Sequence, residues 1–255
     1  MIIDTHAHID FEEYANKFDQ ILEFARENRV EKIIIPAVEP TTFERVLNTA
    51  EKSDMLYCAI GVHPSEAKTY NDEVEELIIS GCRHEKVIAI GECGLDYYWD
   101  KSFNDIQQEV FVRQIRLANE LNKTLIVHDR EAHFDTLNLL KENASKDLRV
   151  VMHCFSGSYE FGMECINQGY YLAFGGVSTF KNAKKSHEVI EKMPLDYLLL
   201  ETDSPYLTPE PFRGKENQPA YLKYVVERIA QLRNISTGEV EDITTSNAKR
   251  AFNLV

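Results

Sequence analysis

Short apolar bursts of strand-like composition alternate with longer polar segments of helical period along nearly the whole chain, and no other feature restricts the fold as much. Residues 2–9, 32–38, 56–63, 86–92, 124–129, 149–155, 170–175 and 197–203 read as eight strands. Helical stretches at roughly 14–28, 42–52, 71–80, 104–122, 131–143, 159–168 and 182–192 separate them, each long enough for a crossover between parallel neighbours. Eight strands with intervening helices predict an α/β fold, a single-domain TIM-like (β/α)8 barrel over residues 1–255. After the last strand, Ser236 and Glu239 are spaced as a capping box, and Thr245 to Phe252 is compatible with a helix. An open doubly wound sheet would use the same alternation. Its fingerprints are missing: no G-x-G-x-x-G follows the first strand, and no G-x-x-x-x-G-K-[ST] occurs.

Composition agrees with one large core. Hydrophobic residues make up 44% and charged residues 27%, with only 11 Gly and 8 Pro, so no long linker is implied. The formal charge of −14 opposes long-range attraction to nucleic acid or an anionic membrane. A phosphate substrate would therefore need bound cations and a few local bases. No apolar run approaches the roughly 20 residues that cross a bilayer, and Met1 to Asp4 leads into the first strand without a secretory signal. Five cysteines (Cys58, Cys82, Cys93, Cys154, Cys165) form no C-x-x-C pair, which suits reduced thiols and a cytoplasmic location. No obligate protein partner is evident.

The chemistry sits at the strand ends, where barrel active sites gather. Asp4, His6 and His8 share one parity, so all three should face the interior if one does, and two imidazoles at i and i+2 can grip one metal ion. An isolated H-x-H is short and common, and the other strand ends give it weight. Glu92 follows the apolar Val87-Ile88-Ala89-Ile90, where a buried unpaired carboxylate is costly, so a cation is its natural partner and its two oxygens could bridge two ions. His128 and His153 each close a strand and are placed to ligate a second ion, although either alone would be an ordinary hydrogen-bonded histidine. Asp203 could bind the first ion and take a proton from the attacking water. Glu201, of the same parity, is either a support for that site or a plain buried ion pair. Arg130 would reach the rim, where a phosphate could sit. Lys181, Lys184, Lys185, Arg213 and Lys215 add charge near the mouth but are as expected on any solvated face. Tyr97, Tyr98, Trp99 and Phe180 could stack on bases or pack on the rim. His84, His133 and His187 carry no expected chemistry.

The ordered set I-I-D-T-H-A-H-I-D (2–10), G-V-H-P (61–64), G-E-C-G-L-D (91–96), H-D-R-E-A (128–132), H-C-F-S-G (153–157), L-L-E-T-D-S-P (199–205) and R-G-K-E-N-Q-P (213–219) spans essentially the whole chain. In this order it resembles the TatD-type metal-dependent deoxyribonucleases, within the amidohydrolase-like metallohydrolase barrels. The resemblance implies two divalent ions, one held by His6, His8, Glu92 and Asp203 and the other by Glu92, His128 and His153. It implies that His63 contacts a substrate phosphate and supports the same role for Arg130. It also implies single-stranded DNA as substrate, trimmed from an end, with Mg²⁺ or Mn²⁺ as working ion. An imidazole-rich shell also accepts Zn²⁺, Co²⁺ or Ni²⁺. Asp203 is the expected base, with Glu92 bridging the ions. Two alternatives are a metal-dependent hydrolase of a carboxylic ester, lactone or amide, and a non-catalytic metal-dependent nucleic-acid-binding protein. A charge of −14 weighs against the last.

Overall fold

The computed structural model describes residues 1–254; Val255, the end of the expected domain, lies outside them. Its eight strands are β1 (Ile2–Asp4), β2 (Val30–Pro36), β3 (Leu56–Ile60), β4 (Val87–Asp96), β5 (Thr124–Arg130), β6 (Val150–Met152), β7 (Tyr171–Phe174) and β8 (Leu198–Leu200). They form one sheet in sequence order, each strand parallel to the next. Three backbone hydrogen bonds then join the last strand to the first. Thr5 N–H donates to Leu200 O at 3.0 Å, Asp203 N–H to His6 O at 2.9 Å, and His8 N–H to Ser204 O at 2.8 Å. That seam makes the sheet a closed (β/α)8 barrel, as the alternation predicts, and leaves no free edge.

Nine helices surround or cap the barrel: α1 (Phe18–Glu27), α2 (Phe43–Ala50), α3 (Asp72–Gly81), α4 (Asn104–Glu120), α5 (His133–Asn143), α6 (Tyr159–Asn167), α7 (Lys184–Lys192), α8 (Leu222–Arg233) and α9 (Thr237–Phe252), all among the described residues. The larger apolar cluster packs helices against the strands. A second cluster takes one residue from every strand: Ile3, Ile34, Ala59, Ala89, Ile126, Val151, Ala173 and Leu199. Ala248, Ala251 and Phe252 of α9 pack on this layer. Thr124 Oγ1 at the start of β5 donates to Ala251 O, and Asn247 Nδ2 donates to Leu198 O at the start of β8. The last helix thus plugs the N-terminal end of the barrel, leaving the C-terminal end for chemistry.

Helix boundaries follow the periodicity closely, with one difference. Helix α8 was not separated from the final helical region, although Leu222, Val225, Val226, Ile229 and Ala230 bury one face at helical spacing. The last helix starts at its capping box, as the spacing of Ser236 and Glu239 predicts: Ser236 Oγ accepts Glu239 N–H at 3.2 Å, while Glu239 Oε2 accepts Ser236 N–H at 2.9 Å.

Candidate metal centre

Two departures from strand regularity place the donors. Regular pairing of β1 ends at Asp4, so the alternation that buries Ile3 in the barrel does not continue through His6 and His8. On β4, Gly91 and Glu92 lie between Ile90 and Cys93, opposite only Ile126 on β5. One extra residue is a β-bulge, which re-aims a side chain. Gly91 and Gly94 have φ of +149° and +138°, and a Cβ on Gly94 would lie 2.0 Å from His128 O, so only glycine fits there. The bulge turns the buried Glu92 carboxylate toward rings contributed by the segment after β1, by β5 and by the segment after β6.

Glu92 and Asp203 are the hubs. His6 Nε2 lies 3.2 Å from Glu92 Oε2, and His128 Nδ1 lies 2.8 Å from Glu92 Oε1. His63 and His153 approach Glu92 Oε1 through Nε2 at 3.6 and 3.8 Å. Asp203 Oδ1 lies 3.6 Å from His8 Nε2, 3.8 Å from His6 Nε2 and 4.0 Å from His153 Nε2. All six expected ligands are therefore brought together. The Nε2 atoms of His6 and His8 are 3.3 Å apart and can share at most one proton, while both buried Nδ1 atoms lack a partner. Donors around an ion at about 2.0–2.2 Å sit roughly 3–3.5 Å from one another. The facing imidazole nitrogens of His6 and His8, the two carboxylates and those spacings fit a divalent cation.

Charge is divided unevenly. Burial pushes His6 well below the ordinary imidazole value, with His153 adding to the effect, and burial also lowers His8. Burial works against charge on His153 too, but Glu201, Glu92 and Asp203 outweigh it and hold the ring up to about 10. Burial likewise opposes charge on His128, yet hydrogen bonds to Asp96 and Glu92 raise it to about 9. For Glu92, burial favours the acid, but His153, His6 and His128 keep it well below the usual carboxylate range. Burial pushes Asp203 up to about 7, with His153 pulling it back.

The supporting contacts set ring orientations. His153 Nδ1 donates to Glu201 Oε2 at 2.9 Å, leaving Nε2 toward the hubs, and Glu201 Oε1 accepts Cys154 N–H at 2.7 Å. Ser65 N–H donates to His63 Nδ1 at 3.2 Å, which requires a lone pair there. Burial and the neighbouring His128 lower His63 to about 3, so the neutral ring carries its proton on Nε2, facing the cluster as a donor. Arg130, exposed at the end of β5, shares a cleft of about 420 Å³ with His128, His153, Cys154, Asp203 and Tyr206.

Asp4 departs from expectation. Its carboxylate does not join the cluster: Oδ1 accepts Thr202 N–H at 2.9 Å and His6 N–H at 3.3 Å, and Oδ2 accepts Thr202 Oγ1–H at 2.6 Å. Parity could not carry it to the site because β1 loses its regular pairing one residue later. Sequence reasoning also missed Asp96, whose Oδ2 lies 3.0 Å from His128 Nε2. Its place in G-E-C-G-L-D was the available signal, but the bulge breaks any count of sides along β4. The histidines given no chemistry make structural contacts: His133 Nδ1 with Asp129 Oδ2 at 2.8 Å, His187 Nε2 with Ser178 O at 2.8 Å, and His84 Nδ1 accepting Lys86 N–H at 3.2 Å.

A closed (β/α)8 barrel with imidazoles and carboxylates converging beyond the C-terminal ends of its strands defines a metal-dependent hydrolase. A family model described as TatD related DNase matches residues 3–253, and the chain belongs to this family. It is 47% identical over 254 residues to the uncharacterized metal-dependent hydrolase YabD of Bacillus subtilis (strain 168), covering 100% of both chains. With the uncharacterized metal-dependent hydrolase YcfH of Escherichia coli (strain K12) it shares 37% identity over 256 residues, covering 99% of this chain and 96% of YcfH. The crystal structure of YjjV, a TatD homologue from Escherichia coli K12, superposes with a TM-score of 0.94 at 34% identity, over 100% of this chain and 98% of YjjV. Among the described residues no helix is long and apolar enough to cross a membrane.

Proposed function

We propose that the protein hydrolyses phosphodiester bonds of single-stranded DNA from an end, using two divalent ions, with Mg²⁺ or Mn²⁺ as the working metal. The observation that carries this reading is the placement of Arg130 in the same cleft as the buried imidazole–carboxylate cluster. That puts a permanent cation in the cleft lined by Asp203, in a chain whose net charge is −14. Its planar donors suit a phosphate better than an uncharged ester. The neutral His63 Nε2–H, 3.6 Å from Glu92 Oε1, supplies a second donor at the cluster.

His6, His8, Glu92 and Asp203 would hold one ion, and Glu92, His128 and His153 the other. Bound there, the ions polarise the phosphoryl group and acidify the attacking water. Glu92 offers one oxygen to each side: Oε2 toward His6, Oε1 toward His128. Asp203 receives the proton of the attacking water, and Arg130 and His63 hold the phosphate oxygens as charge builds on them. A cleft of about 420 Å³ is large enough for a nucleotide-sized group.

The test is an end-labelled single-stranded oligonucleotide, offered beside a panel of carboxylic esters and lactones after chelation and readdition of Mg²⁺ or Mn²⁺. The expected result is a ladder of shortened products that disappears on chelation and in Glu92→Ala but persists in His133→Ala. An intact oligonucleotide with hydrolysis of an ester or lactone would replace this reading with the acyl one.

A further inference from the structure

The four aromatics after β4 and β7 that the sequence left undivided are separated by the structure. Tyr97 is tied down: its hydroxyl donates to Asp135 Oδ2 at 2.9 Å and accepts from Gln108 Nε2 at 2.6 Å. Phe180 is covered by the Arg213 guanidinium, 4.3 Å from its ring centre. Tyr98 and Trp99 are different, being 51% and 74% exposed. Neither ring stands alone. The Arg130 guanidinium lies 4.0 Å from the Tyr98 ring centre and 5.4 Å from that of Trp99, and the two rings meet edge to face at 4.8 Å. Arg130 in turn lines the cleft that contains His128, His153 and Asp203.

Building on the proposed phosphodiester activity, we propose that Tyr98, Trp99 and Arg130 form a nucleobase subsite at the mouth of the cleft, with Trp99 as the stacking surface. Tyr98 holds the guanidinium, Arg130 faces the phosphate, and the indole receives the base attached to it. An aromatic ring paired with a cation suits a nucleotide, whose anionic phosphate and flat base lie within a few ångströms of each other. The subsite is tolerant of sequence, because every base has a face to stack and Trp99 offers no built hydrogen-bond pattern in these contacts. It also gives an acidic protein a means of holding a strand that its net charge does not attract.

Trp99 is the only tryptophan in the chain, so its emission reports directly on the subsite. The metal-loaded protein is titrated with a short phosphorothioate-linked single-stranded oligonucleotide, which resists turnover, and with the same backbone carrying abasic terminal residues. The expected result is quenching by the base-bearing strand and little by the abasic one. In steady state with ordinary linkages, the preference for the base-bearing over the abasic end, read as the ratio of KM values, is expected at about 5- to 150-fold, the span of one stacked base. Trp99→Ala brings this ratio close to one, and Trp99→Tyr retains most of it. Equal quenching by both strands, or an unchanged ratio in Trp99→Ala while the oligonucleotide is still hydrolysed, overturns the subsite and leaves the nuclease reading standing. Base-dependent quenching in a protein that hydrolyses no oligonucleotide would instead overturn the nuclease reading and leave the subsite.

Discussion

At the residue scale the two hub carboxylates differ in proton affinity. Asp203 has the higher proton affinity, raised by burial to about 7, near the value a base needs at neutral pH. Asp203→Asn is expected to lower turnover at least ~10²-fold while retaining the fold and much of the metal. Metal analysis of the purified variant beside its rate decides this; metal lost in step with activity would make Asp203 a ligand alone. Asp96 acts one bond further out. It holds His128 Nε2 at 3.0 Å while Nδ1 faces Glu92, and partners of this kind orient a ligand ring. Asp96→Ala is expected to weaken binding of one ion about 10- to 100-fold, read by competition with a chromophoric chelator. Unchanged affinity for both ions would show that His128 needs no such partner.

At the element scale the weak point is the seam between the first and last strands. Regular β1 and β8 have three residues each, and only three backbone hydrogen bonds join the two segments. Asp4 reinforces them by accepting from Thr202 N–H, Thr202 Oγ1–H and His6 N–H. Asp4→Ala would strand these buried donors, and a loss of about 2–4 kcal/mol is expected from unsatisfied groups of that kind. Urea unfolding monitored by circular dichroism measures it; a loss below about 1 kcal/mol would mean that the backbone bonds close the barrel unaided. Helix α8 shows the limit of pattern reading at this scale. Its buried face was legible at i, i+3 and i+4, but it follows a stretch with prolines at 205, 209, 211 and 219 that obscures where regular structure resumes.

For the molecule as a whole, two electrostatic consequences can be measured. If the proposed phosphodiester reading holds, a chain of charge −14 that grips one or two phosphates through Arg130, His63 and bound cations should show a shallow salt dependence. A slope between about −0.7 and −1.4 is expected for log affinity against log salt on a single strand. A slope steeper than about −4 would require a basic surface that the charge argument omits. The second consequence concerns pH. His128 and His153 are raised to about 9 and about 10, so both hold their protons at neutral pH, whereas His6 and His8 are lowered and stay neutral. A ligating imidazole must give up its proton, so loading the His128–His153 side releases protons and strengthens as pH rises toward 9–10. Calorimetry in two buffers of different ionisation enthalpy should detect at least one proton released. A pH-flat affinity without release would remove these rings from the ligand set.

The amino-acid sequence by itself determined the barrel, because eight apolar bursts separated by crossover-length helices leave few ways to bury their faces. It also determined which side chains meet, since His6, His8, Glu92, His128, His153 and Asp203 follow strands whose ends a barrel must bring together. What only the tertiary structure decided is how they meet. The β4 bulge and the early end of β1 break the two-residue alternation on which every parity argument rests, so Asp4 turns to the seam and Asp96 reaches His128. The packing of the loop after β4 decided, likewise, that Tyr97 is tied to Asp135 while Trp99 stands in solvent. Alternation is a property of a single extended strand; bulges, seams and loop packing depend on what lies across from it, which is set only when the sheet closes.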